Sequence, residues 1–338
     1  MNKIGIIANP ASGKDIRRLV SHATTIDNNE KVNIVERIVL AAEAFGVKNI
    51  FIMPDTFQIG YKVLDNLNTL GELSTNLQTI NMKITGSIKD TINAAKLMEE
   101  YEVDCLVVLG GDGTSRAVAK SINKTPIISI STGTNNVYPE MLEGTVVGMA
   151  AAFVASQKFS LDNIYHRDKR IEIFKDGTLV DIALVDAVIS KNLFVGAKAI
   201  WDVEDMEKVI VTRAHPGTIG FSSLVGCRKI IEIEDDFGAV IDLTENKYKI
   251  IAPIAAGTIE KVHMGDIKII KVNEEYKFTS KEKGVIALDG EREISFKKGE
   301  TFIFKITRKG PIRVNTKSAL ELAQVQGFLI YNNIIYNS

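Results

Sequence analysis

Cys105-Leu106-Val107-Val108-Leu109-Gly110-Gly111-Asp112-Gly113-Thr114 is the stretch that decides the fold. Its five leading apolar residues read as a strand buried on both faces, the mark of a parallel sheet covered by helices. The glycines stop that strand, and residues 114–122 read as a short helix. A strand, a glycine turn and a helix in this order place a candidate ligand loop at the carboxyl end of a sheet strand.

Working outward, residues 4–8 form another short apolar run, stopped by Asn9-Pro10, and residues 49–53 another, stopped by Pro54. Residues 77–84 and 127–130 read as further strands, and 32–45, 57–67 and 142–156 as helices. Ser87 can cap a helix running to about residue 100, with Asp90 three residues on. Strand and helix alternate through residues 1–160, which predicts an α/β domain, an open, mostly parallel sheet with helices on both faces. From 161 to 310 the texture changes to short extended pieces such as 170–174 and 180–190. Asp176-Gly177 and Asp289-Gly290 favour tight hairpins there. This predicts a β-rich domain of β-sandwich type. Residues 311–338 return to a helical pattern, a tail that can pack back on the first domain, which periodicity alone does not decide.

A chain of 338 residues can bury large cores without disulfides or a structural metal. Its 41 Lys and Arg balance 42 Asp and Glu, which argues against global steering toward nucleic acid or an anionic membrane. Cys105 and Cys227 are too few for a disulfide framework and predict a reducing compartment. The opening residues carry no secretory pattern, and the longest apolar stretch, 146–155, is about half of what a bilayer span needs. Together these predict a cytoplasmic protein with no transmembrane segment.

Glycine lets backbone approach an anion closely, and a helix start offers free N–H groups and a positive dipole end. Asp112 is unexpected in a simple phosphate cradle, because a carboxylate repels phosphate. It suits a ligand of Mg2+ beside the phosphates, or an acceptor for the proton of an attacking hydroxyl. A plain glycine turn with Asp112 as helix cap accounts for it equally well. No Lys-Ser/Thr pair closes the loop as in a Walker A motif, and the spaced glycines of the dinucleotide fingerprint are missing. Asn9-Pro10-Ala11-Ser12-Gly13-Lys14 follows the first strand, and Ser12, Gly13 and Lys14 can face a phosphate or simply open a helix. Ser131-Thr132-Gly133-Thr134-Asn135-Asn136 follows another strand with hydroxyls and amides suited to a polar ligand. If their strands are neighbours, the three loops line one crevice.

Gly110 to Thr114 resembles the signature of the superfamily that joins NAD kinases with diacylglycerol and sphingosine kinases. Asn9 to Gly13 looks like the opening motif of the lipid-kinase branch, Gly133 to Asn136 like its third loop, and Asp289-Gly290-Glu291 like its late acidic motif. Gly217-Thr218-Ile219-Gly220-Phe221-Ser222 instead looks like the NAD-kinase segment that surrounds the dinucleotide. Residues 252–259 and 183–187 also resemble NAD-kinase segments, with Gly257 in place of a histidine and Val185 in place of an asparagine. Taken whole, the chain resembles the ATP-NAD kinase-like group associated with acetoin catabolism.

That resemblance implies an α/β domain and a β-sandwich with the active site between them. It implies transfer of a phosphoryl group from ATP or polyphosphate, with Mg2+, to the adenosine ribose 2′-hydroxyl of NAD. Asp112 and Glu291 are then the candidate catalytic carboxylates, with Asp112 also the candidate Mg2+ ligand; a solvated Glu291 after a hairpin turn is the plainer alternative. Asn9, Ser12, Gly13, Lys14, Gly110, Gly111, Gly113, Thr114, Gly133, Thr134 and Asn136 would serve the nucleotides in the first domain. Asp186, Gly217, Thr218, Phe221 and Ser222 would do so in the second, Phe221 by stacking on or walling the dinucleotide. A lipid or other small-alcohol kinase and an inactive NAD- or ATP-binding regulatory protein are the competing readings. Family habit further implies a homodimer or homotetramer.

Overall fold

The computed structural model describes residues 2–13, 26–71, 73–133, 135–156, 164–191 and 203–330. The first part runs β1 (Lys3–Ala8), α1 (Asn28–Ala44), β2 (Asn49–Ile52), α2 (Ile59–Leu70), β3 (Asn76–Thr79), α3 (Ile88–Glu100), β4 (Cys105–Gly110), α4 (Asp112–Ala119), β5 (Ile127–Ser131) and α5 (Gly144–Ser156). The β-rich part holds β6 (Tyr165–Arg167), β7 (Arg170–Lys175), β8 (Thr178–Ala183), β9 (Asp186–Ser190), β10 (Met206–Val211), the short α6 (Ser222–Gly226), β11 (Phe237–Asp242), β12 (Tyr248–Ala255) and β13 (Thr258–Met264). It continues through β14 (Lys268–Lys271), β15 (Glu275–Thr279), β16 (Gly284–Leu288), β17 (Glu291–Phe296) and β18 (Thr301–Thr307), before β19 (Ile312–Val314) and α7 (Thr316–Val325).

Among the described residues the first sheet has the order β3-β2-β1-β4-β5-β19-β6. Its strands from β3 to β5 are all parallel, β19 continues them beside β5, and β6 closes the edge antiparallel to β19. The chain moves outward from β1 to β3, then returns to β4 on the other side of β1. The carboxyl ends of β1 and β4 therefore flank a topological switch point, where sheets of this kind open their crevice. Two apolar clusters cover the sheet, one led by Ile4, Ile6, Val107 and Phe153, the other by Ile7, Met98, Leu106 and Val108. Cys105 is fully buried in the first of them.

Local chemistry sets the helix starts. The Asp27 carboxylate accepts from Glu30 N at 2.8 Å and opens α1, and Ser87 Oγ accepts from Lys89 N at 3.3 Å and opens α3. Asp90 binds back to the N–H groups of Thr85 and Gly86. β3 ends at Thr79, with Ile80 N still donating to Ile52 O at 3.0 Å, although the alternation of the sequence continues to residue 84.

Two further sheets pack face to face: β14-β11-β10-β9-β16-β17 and β15-β18-β7-β8. Ile171, Ile173, Ile189, Ile286, Phe302 and Phe304 fill the space between them, which makes this part a β-sandwich. The hairpin of β12 and β13 stands apart as a two-stranded sheet over the outer face of the larger one. Both expected Asp-Gly hairpins form: Asp176 and Gly177 have φ of 50° and 77°, and Asp289 and Gly290 have 49° and 82°. The C-terminal segment does return to the first part. Ala319 and Ala323 of α7 lie in its core, and Phe328 packs between Phe45 and Phe153 with ring centroids 5.3 and 5.1 Å away.

Candidate active site

Among the sequence-predicted residues, Lys14 and Thr134 lie outside the described residues. The loops after β1, β4 and β5 meet at the switch point and are bonded to one another. Asn9 Nδ2 donates to Thr114 Oγ1 at 2.8 Å, and the Ser12 and Thr132 hydroxyls lie 2.8 Å apart. Thr132 N donates to Gly110 O at 3.1 Å, and Asn136 Nδ2 donates to Ser131 Oγ at 2.8 Å and Gly133 O at 3.2 Å.

The glycines of the β4–α4 loop serve close approach more than unusual dihedrals: Gly111 has φ of −108°. A Cβ on Gly110 would stand 2.4 Å from Thr114 Cβ, and one on Gly111 2.8 Å from Asn136 Oδ1. A Cβ on Gly113 would stand 2.3 Å from Glu291 Oε1. Three absent side chains thus let Thr114, Asn136 and Glu291 close on the start of α4, whose first-turn N–H groups have no acceptor within the helix.

Asp112 opens that turn. Its Oδ1 accepts from Val137 N at 3.0 Å and Tyr138 N at 2.8 Å, and its Oδ2 lies 3.1 Å from Val137 N. The loop after β5 therefore orients the carboxylate. Glu291 comes from the β16–β17 turn of the sandwich and has a half-exposed side chain. Arg116, one helical turn beyond Asp112 and 1% exposed, donates from Nη2 to Glu291 Oε2 at 3.0 Å. The same guanidinium lies 3.3 Å from Asp181 Oδ1 and 3.9 Å from Asp289 Oδ2. Lys120 also reaches Asp181, at 2.8 Å.

Asp289 is the buried anchor of this junction. It accepts from Leu184 N and Val185 N, each at 2.8 Å, and from Asp186 N at 3.2 Å. Burial pushes its carboxyl above the usual carboxylate range, against the pull of Arg116 and these N–H donors. The bonds also split residues 180–190, an extended run in the sequence, into β8 and β9. Asp186 itself is 6% exposed and begins β9.

The segment 217–222 sits farther along the sandwich. Gly217 N donates to His215 Nδ1 at 2.9 Å and Thr218 Oγ1 to His215 O at 2.7 Å, in an exposed turn. Phe221 is 5% exposed, its ring in the core with Leu224, Val225 and Ala252, and Ser222 is fully buried. The segment connects to the loops through the β12–β13 hairpin: Gly220 N donates to Pro253 O at 3.0 Å, and Ala256 N donates to Asn135 Oδ1 at 3.1 Å.

Arg116, Asp181 and Tyr138 also belong to this junction, and no motif of the sequence marks them; Asn135 lies in the 131–136 loop. Arg116 had one signal, its position four residues after Asp112 on a short helix. Among the described residues no three His, Cys, Asp or Glu side chains cluster as a metal cage. Mg2+ held with a phosphorylated nucleotide needs only one or two carboxylates, the rest of its shell coming from phosphates and water. The oriented Asp112 beside a helix start fits that mode. A groove of about 500 Å³ between the starts of α5 and α7, with Leu142, Val146 and Leu320 on its walls, shares no residue with this site.

The model of the ATP-NAD kinase N-terminal domain matches residues 4–159, and that of the acetoin catabolism protein X C-terminal domain matches residues 169–309. The chain is 36% identical over 303 residues to acetoin catabolism protein X of Cupriavidus necator, covering 87% of this chain and 84% of that one. In fold it is similar to yeast NADH kinase, solved in complex with NADH, with a TM-score of 0.52 at 13% identity, over 99% of this chain and 90% of that one. It is also similar to a putative diacylglycerol kinase from Bacillus anthracis str. Sterne, with a TM-score of 0.50 at 12% identity, over 93% and 97% of the two chains. At such identities these two likenesses speak for the fold alone.

Proposed function

The chain belongs to the acetoin catabolism protein X family, and from that premise we propose that it is a kinase moving the terminal phosphoryl group of ATP or polyphosphate to the adenosine ribose 2′-hydroxyl of NAD, giving NADP. The observation that carries the reading is the oriented Asp112 carboxylate at the start of α4, where three sheet loops and a turn of the sandwich converge.

In this reaction the acceptor oxygen forms a bond to the terminal phosphorus as the bond to the bridging oxygen of the donor breaks. The hydroxyl proton passes to a carboxylate. Catalysis of this kind is mostly positioning and charge stabilisation. Asp112 takes the proton or holds Mg2+, which would draw charge from the phosphates. The first-turn N–H groups of α4, from Gly111 to Thr114, would face the donor phosphates. Asn9, Ser12, Gly13, Gly133 and Asn136 shape the walls of the donor site. Asp186, Gly217 and Thr218 belong to the acceptor side; Phe221 supports that side from its core position.

Glu291 favours a second reading within the same chemistry. A half-exposed carboxylate held over Gly113 by Arg116 can take the proton of a lipid or other small alcohol, as in a kinase of the diacylglycerol type. Purified protein with Mg2+ and ATP or polyphosphate should be offered NAD and diacylglycerol in parallel. Turnover of NAD supports the proposal. Turnover of diacylglycerol alone replaces it with the second reading, and binding of NAD without turnover replaces both with a regulatory role.

A further inference from the structure

Lys31 breaks three local rules at once. It is fully buried, where an ammonium is costly unless its donors are satisfied. It lies in the first turn of α1, where the helix dipole opposes a positive charge. It also shares the buried stripe of Val35, Ile38, Val39 and Ala42. Local rules broken together mark functional positions more often than packing ones.

Its surroundings say what the charge faces. Among the described residues, Nζ donates to Asn9 O at 2.9 Å, Ser12 O at 2.8 Å and Asn28 Oδ1 at 3.1 Å. Two of these acceptors are main-chain carbonyls of the loop after β1. A trans peptide carries its N–H opposite its C=O, so the Ser12–Gly13 peptide turns its N–H away from Lys31. Gly13 has φ of +76°, and a Cβ there would stand 2.9 Å from Thr132 O, so the loop is held against the β5 loop in this form. Asp55 feels the Lys31 charge, while its own oxygens accept from Phe57 N at 2.8 Å and Ile59 N at 2.9 Å.

We propose that Lys31 is the buried cation of the donor subsite, supplying positive potential through the 9–13 loop to the phosphate chain that ATP and inorganic polyphosphate share. The proposal rests on the phosphotransferase reading and names a residue for its donor. Lys31 acts through the loop it shapes and is a positioning residue.

The test is calorimetric titration of the full chain with MgATP, with tripolyphosphate and with adenosine. Two variants are compared with the wild type. Lys31→Gln removes the charge and keeps a donor. Asn28→Asp keeps Lys31 and sets a carboxylate beside its ammonium, a change that also suits the first turn of a helix and should leave the fold intact. Both should weaken MgATP and tripolyphosphate about tenfold or more and leave adenosine within about twofold, because only charged ligands sense the lost potential. Equal weakening of all three ligands would make Lys31 a structural lysine and overturn the proposal. So would wild-type affinity for the phosphates in either folded variant. If Lys31→Gln does not fold, Asn28→Asp decides alone. A wild type that binds neither phosphate ligand overturns the phosphotransferase reading first and this proposal with it, whereas wild-type binding with unaffected variants overturns this proposal alone.

Discussion

Gly113→Ala separates the position of Glu291 from its chemistry. The new Cβ would stand 2.3 Å from Glu291 Oε1 and 2.6 Å from its Cδ, so the carboxylate must leave. The cost to the fold is small. Glu291 is half exposed and can swing into water, while the buried Arg116 keeps Asp181 and Asp289 beside it, so losing this one hydrogen bond costs about 1 kcal/mol. Alanine for glycine in a helix returns up to about 1 kcal/mol. The two nearly cancel, and the midpoint of thermal unfolding should move by no more than about 2–4 °C. If Glu291 assists proton transfer, turnover should fall by about 10²- to 10⁴-fold, as far as it falls in Glu291→Gln. The double variant Gly113→Ala/Glu291→Gln should be no worse than either alone, since both remove one contribution. Steady-state turnover of the four proteins, with thermal unfolding as control, makes the test. A folded Gly113→Ala protein with near wild-type turnover would refute the reasoning, because Glu291 would then have no work to do beside α4.

Other changes probe the remaining parts of the site. Asp112→Asn keeps an oxygen for Val137 N and Tyr138 N, so stability should drop by only about 1 kcal/mol while turnover falls by orders of magnitude; unfolding curves and a rate assay read both. Asp289→Ala strands three N–H groups and removes one of the three carboxylates around the buried Arg116, and should cost about 3 kcal/mol or more in urea unfolding. Lys169 donates to Glu232 O and Phe237 O, and burial, with the charges of Arg308 and Arg213, pushes its amine down to about 8. The unfolded chain then binds more protons than the native one between about pH 8 and the ordinary lysine range near pH 10.4. Stability should therefore rise with pH across that window, by up to about 1.4 kcal/mol per unit. The difference in urea midpoint between Lys169→Met and the wild type, measured at both ends of the window, checks the sign.

The fold was legible because its signals are local. Residues 105–109 read as a two-sided strand, β4 has all its residues buried, and the two Asp-Gly turns form where they were expected. The convergence of the loops after residues 8, 110 and 131 was also within reach, since each ends a parallel strand and the switch point brings them together. What the sequence hid is non-local. Arg116 looks like an ordinary helix residue until Asp181, Asp289 and Glu291 arrive from 65 or more positions away. Lys31 precedes the run read as a helix from residue 32, and only the Asp27 cap brings it inside α1. Phe221 was expected against a dinucleotide on the strength of its neighbours in sequence, whereas its ring packs with β11 and β12 in the core. β19 joins the first sheet because the chain crosses back after the sandwich, and β6 joins by pairing with β19, a closure that short runs of three residues do not announce.

The most direct measurement of the central claim is phosphorus NMR of the wild-type protein with NAD, Mg2+ and ATP, run beside Asp112→Asn. The account predicts a new monophosphate resonance on the adenosine ribose, assigned to the 2′ position, growing as ADP appears and missing in Asp112→Asn. ATP left intact beside bound NAD, or a 2′-phosphate formed equally well by Asp112→Asn, would contradict it.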